Sequence, residues 1–224
     1  MIYLNAALSQ HHAPDELPNA VRTALGKPLR RAAPLTQLAL LGALACVPAE
    51  RRQRPTALLW QSTRGPRQET RAMLEEICTG AGEPMPFEFL ATQPALAAAQ
   101  IQPYLPGLQS AMHFPLDTAG VADWSLLLAL AGNWLAEGRY AQVLCAHLDS
   151  TDDGADGHWL ALATDPIENA PARLHLRGTS VPDAWADTPD FPAHLADWLA
   201  RPAPASLHLQ SPGMPRLAVE FAKL

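Results

Sequence analysis

The stretch Asp117-Thr118-Ala119-Gly120 joins an alternating apolar run, 110–116, to a long apolar segment, 121–137. The alternation predicts a strand and the longer segment predicts a helix, so the stretch between them is a sharp strand-to-helix turn. Enzymes that form acyl-thioesters place a cysteine at such a turn, because a helix N-terminus stabilises a thiolate. Here the position expected for the sulfur is Gly120. We therefore predict a nucleophile elbow that has kept its architecture and lost its nucleophile.

The segment after the turn, from Val121 to Glu137, carries apolar side chains on essentially every face of a helix. A helix that is apolar all round is buried on all sides. We therefore predict a central helix, sandwiched between layers, directly behind the elbow.

The rest of the chain alternates short strands with helices. Strands are predicted at 2–8, 56–60, 140–148, 158–163, 207–209 and 217–221, and helices at 15–25, 36–45, 66–78 and 95–102. Thr36 is predicted to be the N-cap of the second helix. Pro66 is predicted to be the first residue of the third helix, and Gly80 to follow the last residue of that helix. Residues 83–94 are predicted to form a loop anchored by Phe87 and Phe89, and residues 149–157 an acidic turn.

This order of elements predicts an α/β fold with a mixed sheet and a buried central helix in a layered arrangement. We expect one domain over residues 1–224, with a core over about 1–165 and a proline-rich C-terminal extension over about 166–224. At 48% apolar residues the chain can bury a substantial core.

Several classes of protein are excluded by composition. No apolar run is long enough to span a bilayer, and the N-terminus does not have the pattern of a secretory signal, so we predict a cytoplasmic protein without a membrane span. The three cysteines are far apart and are predicted to be buried, reduced thiols. The acids between Asp149 and Asp156 lack the spacing of a calcium loop. We therefore predict neither a metal nor a cofactor.

Positive charge is concentrated in one part of the chain. The net charge is −6, yet residues 21–71 hold ten arginines and lysines against two glutamates. Such a split can mark a docking face for an acidic partner, although arginines that face acids elsewhere in the fold would give the same pattern. Nucleic acid is not expected as a partner, because the chain is acidic overall and lacks aromatic residues among its arginines.

The ordered series of motifs over Thr56–Ala163 resembles the N-terminal half of a β-ketoacyl synthase of the thiolase fold. In that family a strand ends in an Asp-Thr-Ala-Cys turn, and a buried helix, a Gly-Arg turn and an apolar strand follow. This chain has the elbow, Gly138-Arg139 and the strand 140–148 in the same order. The stretch Thr56–Gly65 is similar to the family's strand and glycine-bearing turn, and Phe87–Ile101 to its pre-elbow segment.

The chain departs from that family in two ways. The cysteine position is Gly120, so no acyl-enzyme can form there. A full synthase also carries a second half with two catalytic histidines, which we expect to be absent or reduced to the proline-rich remnant. The chain therefore resembles the truncated, cysteine-less subunits called chain-length factors, including those of aryl polyene clusters. An ordinary tight turn in an unrelated α/β domain is the alternative interpretation of Gly120.

The resemblance implies a non-catalytic subunit that pairs with an active β-ketoacyl synthase, as a heterodimer or larger assembly, in fatty-acid or polyketide chain elongation. In this fold family the strand before the elbow pairs across the dimer axis, so an isolated chain would expose a sheet edge and self-dimerise or be poorly soluble. The residues expected at the interface and acyl tunnel are Phe87, Phe89, His113, Phe114 and Gly120.

Two other functions stay open from the sequence. One is a small acyl-thioester enzyme that uses a different residue, such as His113 with Asp117, although a strand histidine of this kind is more often a core or interface residue. The other is a module that binds an acyl carrier protein through Arg51, Arg52 and Arg54, in the arginine-rich segment.

Overall fold

The computed structural model describes residues 1–80, 86–94, 96–117, 121–179, 181, 183–211, 214 and 216–224, without the side chain of Phe87. This part of the chain contains nine strands in one sheet and seven α-helices. The strands are β1 (Ile2–His12), β2 (Thr56–Ser62), β3 (Leu108–Pro115), β4 (Gln142–Thr151), β5 (Gly154–Ala163), β6 (Ala172–Arg177), β7 (Trp185–Ala186), β8 (Ser206–Gln210) and β9 (Ala218–Lys223). The helices are α1 (Glu16–Leu25), α2 (Pro34–Cys46), α3 (Arg67–Thr79), α4 (Pro86–Ala91), α5 (Leu96–Ile101), α6 (Trp124–Ala136) and α7 (Phe191–Leu199).

The sheet is mixed, with the strand order β3-β2-β4-β5-β1-β6-β9-β8-β7. Strands β3, β2 and β4 are parallel, the pairings from β4 to β8 are antiparallel, and β7 runs parallel to β8. Every residue of β2 is buried, as expected of a parallel strand with neighbours on both sides and helices over the sheet. The predicted α/β fold with a mixed sheet is confirmed.

Two hydrophobic cores lie on opposite faces of the sheet. Helices α6 and α7 cover one face, where they pack on alternate residues of β2, β4, β5, β6 and β9. Helices α1, α2 and α5 cover the other face. The C-terminal strands complete the sheet through the pairing of β6 with β1.

The helix that is buried nearly all round is α2, and not α6 as predicted. Helix α2 lies between the sheet and the layer formed by α1 and α5, and nine of its thirteen residues are buried. In α6 only one stripe is buried, because Leu126, Leu130 and Trp134 are half-buried and Asn133 is exposed. The layered arrangement is therefore present, with its central helix earlier in the chain.

Three predicted details of the helix ends are corrected. Helix α2 begins at Pro34, whose fixed φ suits a first turn, so Thr36 lies inside the helix and is buried there. Pro66 immediately precedes α3 and is not its first residue. Gly80 follows α3 with extended backbone and not the left-handed conformation of a glycine cap.

Two predicted loops are also corrected. Within 83–94, residues 86–91 form the helix α4, while 83–85 lie outside the described residues. The acidic turn is shorter than predicted, because Asp149–Thr151 pair with Gly154–Asp156 and extend the hairpin of β4 and β5. Only residues 152 and 153 remain in the turn.

The longest helices within the described residues have 13 residues. None of the described helices has the length and apolar character needed to cross a membrane.

Candidate functional site

The predicted elbow lies at the carboxyl end of β3, where the structure describes Asp117 as exposed. Thr118, Ala119 and Gly120 lie outside the described residues, so the prediction of an elbow without a nucleophile stays a prediction. The helix behind it begins at Trp124, three residues later than the predicted Val121.

The N-terminus of α6 is bound by a carboxylate from far along the chain. The backbone N–H of Trp124 donates to Asp187 Oδ1 at 2.8 Å, and that of Ser125 donates to Asp187 Oδ2 at 3.0 Å. Asp187 is 4% exposed, and burial raises its pKa to about 6 against the opposing hydrogen bonds from Ser125 and Trp124. Sequence analysis missed this residue, because an aspartate in a proline-rich segment carries no local signal of such a contact.

A second carboxylate, Asp149 at the end of β4, links three elements. Its side chain accepts hydrogen bonds from the backbone N–H groups of Thr63 (3.1 Å) and Arg64 (2.9 Å) and from His147 Nε2 (3.1 Å). Burial alone would raise the pKa of Asp149, but these hydrogen bonds outweigh it and hold the pKa below its ordinary value. The carboxylate thus fixes the turn between β2 and α3 against β4.

Replacement of Asp149 by asparagine should cost about 2 kcal/mol of stability near neutral pH, because the charged acceptor of three hydrogen bonds is lost. A depressed pKa contributes stability above the unfolded-state value, and this stability is lost as pH falls through the folded-state pKa. The difference between wild type and Asp149→Asn should therefore shrink below about pH 4. Urea unfolding across pH tests this, with the exposed Asp153→Asn as the control; a difference independent of pH would contradict it.

His113 lies on β3 with its ring 4.2 Å, centroid to centroid, from the ring of Trp60. Its Nε2 is 2.7 Å from Ser62 Oγ, and burial lowers the pKa of His113 while the Asp149 carboxylate opposes that shift. The parallel pairing of β2 with β3 brings these side chains together. The predicted pairing of His113 with Asp117 is therefore corrected, since the hydrogen bond goes to Ser62.

The other predicted interface residues lie apart from His113. Phe114 packs against the core beneath α6, on the opposite face of the sheet. Phe89 is 55% exposed on α4, so it does not anchor a loop as predicted. The side chain of Phe87 and all of Gly120 lie outside the described residues, and the tunnel assignment of all five stays a prediction.

Exposed apolar side chains lie on both α3 and α4, two helices that contact each other. None of the thirteen residues of α3, all within the described part of the chain, is buried. Leu74 and Ile77 are each 51% exposed, and Leu90 of α4 is 47% exposed beside Phe89. We call these four residues the α3–α4 face. A shallow groove of about 490 Å³ runs along α3 past Leu74 to Cys78, which is exposed and not buried as predicted.

A separate candidate for contact with another chain is strand β3. It is the first strand in the sheet order and, within the described residues, pairs only with β2. Met112 on β3 is 43% exposed. An unpaired strand edge with apolar side chains is a template for association with another chain.

The arginines predicted to dock a carrier protein make contacts within the chain. Arg51 and Arg54 both form ion pairs with Asp165, and Arg51 also donates to the carbonyl oxygen of Pro166. Arg52 donates to the backbone carbonyls of Val47 and Leu44. These arginines thus contact acidic and carbonyl groups elsewhere in the fold, and their role in docking a carrier protein stays a prediction.

No protein-family model and no curated protein sequence matches this chain. Among solved structures, it is similar to a chain of the complex described as a ketosynthase (ApeO) with its chain length factor (ApeC) from Xenorhabdus doucetiae, with a TM-score of 0.57 and 14% identity over 98% of this chain and 99% of the other. It is also similar to the ishigamide ketosynthase/chain length factor, with a TM-score of 0.58 and 13% identity over 91% and 84%. At these identities the likeness is one of fold, and it shows that this chain has the thiolase-like fold of ketosynthases.

Proposed function

We propose that this chain is a non-catalytic, chain-length-factor-type subunit that pairs with an active β-ketoacyl synthase during polyketide or fatty-acid chain elongation. The observation that carries the proposal is the α3–α4 face, together with the outer edge of β3, which pairs only with β2 within the described residues. A partner that covered Leu74 and Ile77 would remove from water apolar surface that this chain alone leaves exposed on α3. More specifically, we propose that the chain takes part in aryl polyene synthesis, because its motifs resemble those of chain-length factors from aryl polyene clusters.

Support also comes from the likeness in fold to structures whose descriptions name a ketosynthase with a chain length factor. The missing cysteine at position 120 is consistent with a subunit that depends on its partner for chemistry. A carrier protein would then be a partner of the complex and not of this chain alone.

Affinity purification of the tagged chain from its native host, followed by mass spectrometry and native mass, tests the proposal. The expected result is a one-to-one complex with a larger chain that carries an intact Asp-Thr-Ala-Cys elbow. Recovery of the chain alone, or as a homodimer, would refute the pairing.

A second candidate function, a small enzyme that acts on acyl-thioesters, is favoured by the hydrogen bond between Ser62 and His113. A neutral imidazole 2.7 Å from a serine hydroxyl is the geometry of a nucleophile and its base. Ser62 is only 1% exposed, however, which keeps a substrate carbonyl away from its hydroxyl.

We therefore expect the purified chain to hydrolyse acyl-CoA no faster than buffer, and His113→Ala to make no difference. A thiol-release assay with acyl chains of several lengths measures this. Turnover that disappears in both His113→Ala and Ser62→Ala, but persists in Ser206→Ala on the far side of the sheet, would establish the enzymatic alternative.

A further inference from the structure

The connection between β7 and α7 lies against the first turn of α6. Four hydrogen bonds join residues Ala186–Thr188, which we call the Asp187 strap, to residues 122–125. Two are those of the Asp187 carboxylate with Trp124 and Ser125. The backbone carbonyl of Asp187 also accepts from Ala122 N at 3.2 Å, and that of Thr188 accepts from Trp124 Nε1 at 2.9 Å.

The strap is anchored firmly at its C-terminal side. Thr188 O also accepts from the N–H of Phe191, the first residue of α7. Phe191 is fully buried in the core beneath α6 and packs against Phe221 of β9. The strap therefore cannot leave α6 without disturbing the helix that follows it.

The carboxylate occupies the position where a helix N-terminus binds an anion. The first N–H groups of a helix lack partners within the helix, and the helix dipole favours negative charge there. Both Asp187 oxygens are used, one for each of two consecutive N–H groups.

We propose that the Asp187 strap is an internal anion plug, which supplies the carboxylate that the N-terminus of α6 binds and closes this site to external carboxylates and oxyanions. This inference stands on contacts within the chain and does not require the proposed pairing with a ketosynthase.

Removal of the plug should open a site that a small carboxylate can fill. Asp187→Ala should lower Tm by about 5 °C, because the capping carboxylate is lost. Sodium formate, titrated at constant ionic strength against sodium chloride, should restore most of that loss, since a ligand that binds only the folded state stabilises it. Wild type and the control Asp197→Ala, an exposed acid of α7, should not respond to formate.

A melting temperature of Asp187→Ala equal to that of wild type would overturn the proposal. Equal stabilisation of all three proteins by formate would overturn it as well. If Asp187→Ala does not fold, amide hydrogen exchange on Asp187→Asn decides the question. Faster exchange at Trp124 and Ser125 than in Asp197→Asn supports the plug, and unchanged exchange refutes it.

Discussion

Replacement of Gly42 by alanine is expected to destabilise the protein by about 3 kcal/mol, at the upper end of the cost of overpacking a core. Gly42 lies in the middle of α2, where the helix faces β5. A Cβ atom at this position would overlap the indole ring of Trp159, which is fully buried. The ring has no free space to move into, because protein interiors are close-packed.

A second helix glycine provides the matched control for this substitution. A Cβ on Gly132 of α6 would meet the side-chain tips of Leu176 at 3.1 Å and Ile2 at 3.3 Å, which can adjust by small rotations. Alanine is also favoured over glycine in a helix interior by about 1 kcal/mol. Gly132→Ala should therefore leave the midpoint of urea unfolding nearly unchanged.

A double-mutant cycle identifies the cause of the loss. If the clash with the indole is responsible, Trp159→Phe should cost less in the Gly42→Ala background than in wild type, with a coupling of about 1 kcal/mol or more. Additive losses would show that Gly42 is required for another reason.

If the proposed pairing with a ketosynthase uses the α3–α4 face, the double substitution Leu74→Asp with Ile77→Asp is expected to weaken it by about 100-fold or more. Two charges would replace apolar side chains at the centre of the α3–α4 face, and burial of each apolar side chain contributes about 1.5–3 kcal/mol. Stability of the isolated chain should change little, because both side chains are half exposed there.

Co-purification with the partner and light scattering of the isolated chain measure this effect. Leu176→Asp is the control, since Leu176 is an exposed leucine on β6, far from β3 in the sheet order. An interface elsewhere on the molecule would leave the double variant bound as tightly as wild type. If the isolated chain forms homodimers through the same face, the double variant should be monomeric.

Local patterns predicted much of the secondary structure, because each strand or helix has to bury a face of defined period. The alternation at 207–209 and 217–221 correctly placed β8 and β9 within a proline-rich region. The buried run at 56–60 correctly placed β2. Such patterns do not show which other helices or strands pack over a given helix.

The prediction that α6 is the central helix, where the structure has α2, shows this limit. Both segments are apolar on nearly every face, so periodicity does not distinguish them. Helix α2 is enclosed because α1 and α5 pack on its outer side, which depends on how distant segments fold back. The sequence from Pro34 to Cys46 is as apolar on every face as the segment Val121–Glu137, and so it predicts all-round burial equally well.

The candidate site was less predictable because its contacts are long-range. Residues Asp187 and Trp124 are 63 positions apart, and Ser62 and His113 are 51 apart. Such pairs depend on sheet order and strand register, which local propensity does not determine. The end of β3 and the presence of α6 after it were predictable from local patterns, while residues 118–120 of the predicted elbow lie outside the described residues.

The placement of β1 in the interior of the sheet also sets an order of events during synthesis. Its two neighbours, β5 and β6, end at Ala163 and Arg177, so β1 has no partner in the sheet until well over 100 further residues, roughly, have been made. Pairings between such distant segments form slowly and leave unpaired edges exposed in the meantime. The nascent chain therefore carries an unpaired strand while these residues are made, and chaperone contact with residues 2–12 during that interval would protect it from aggregation.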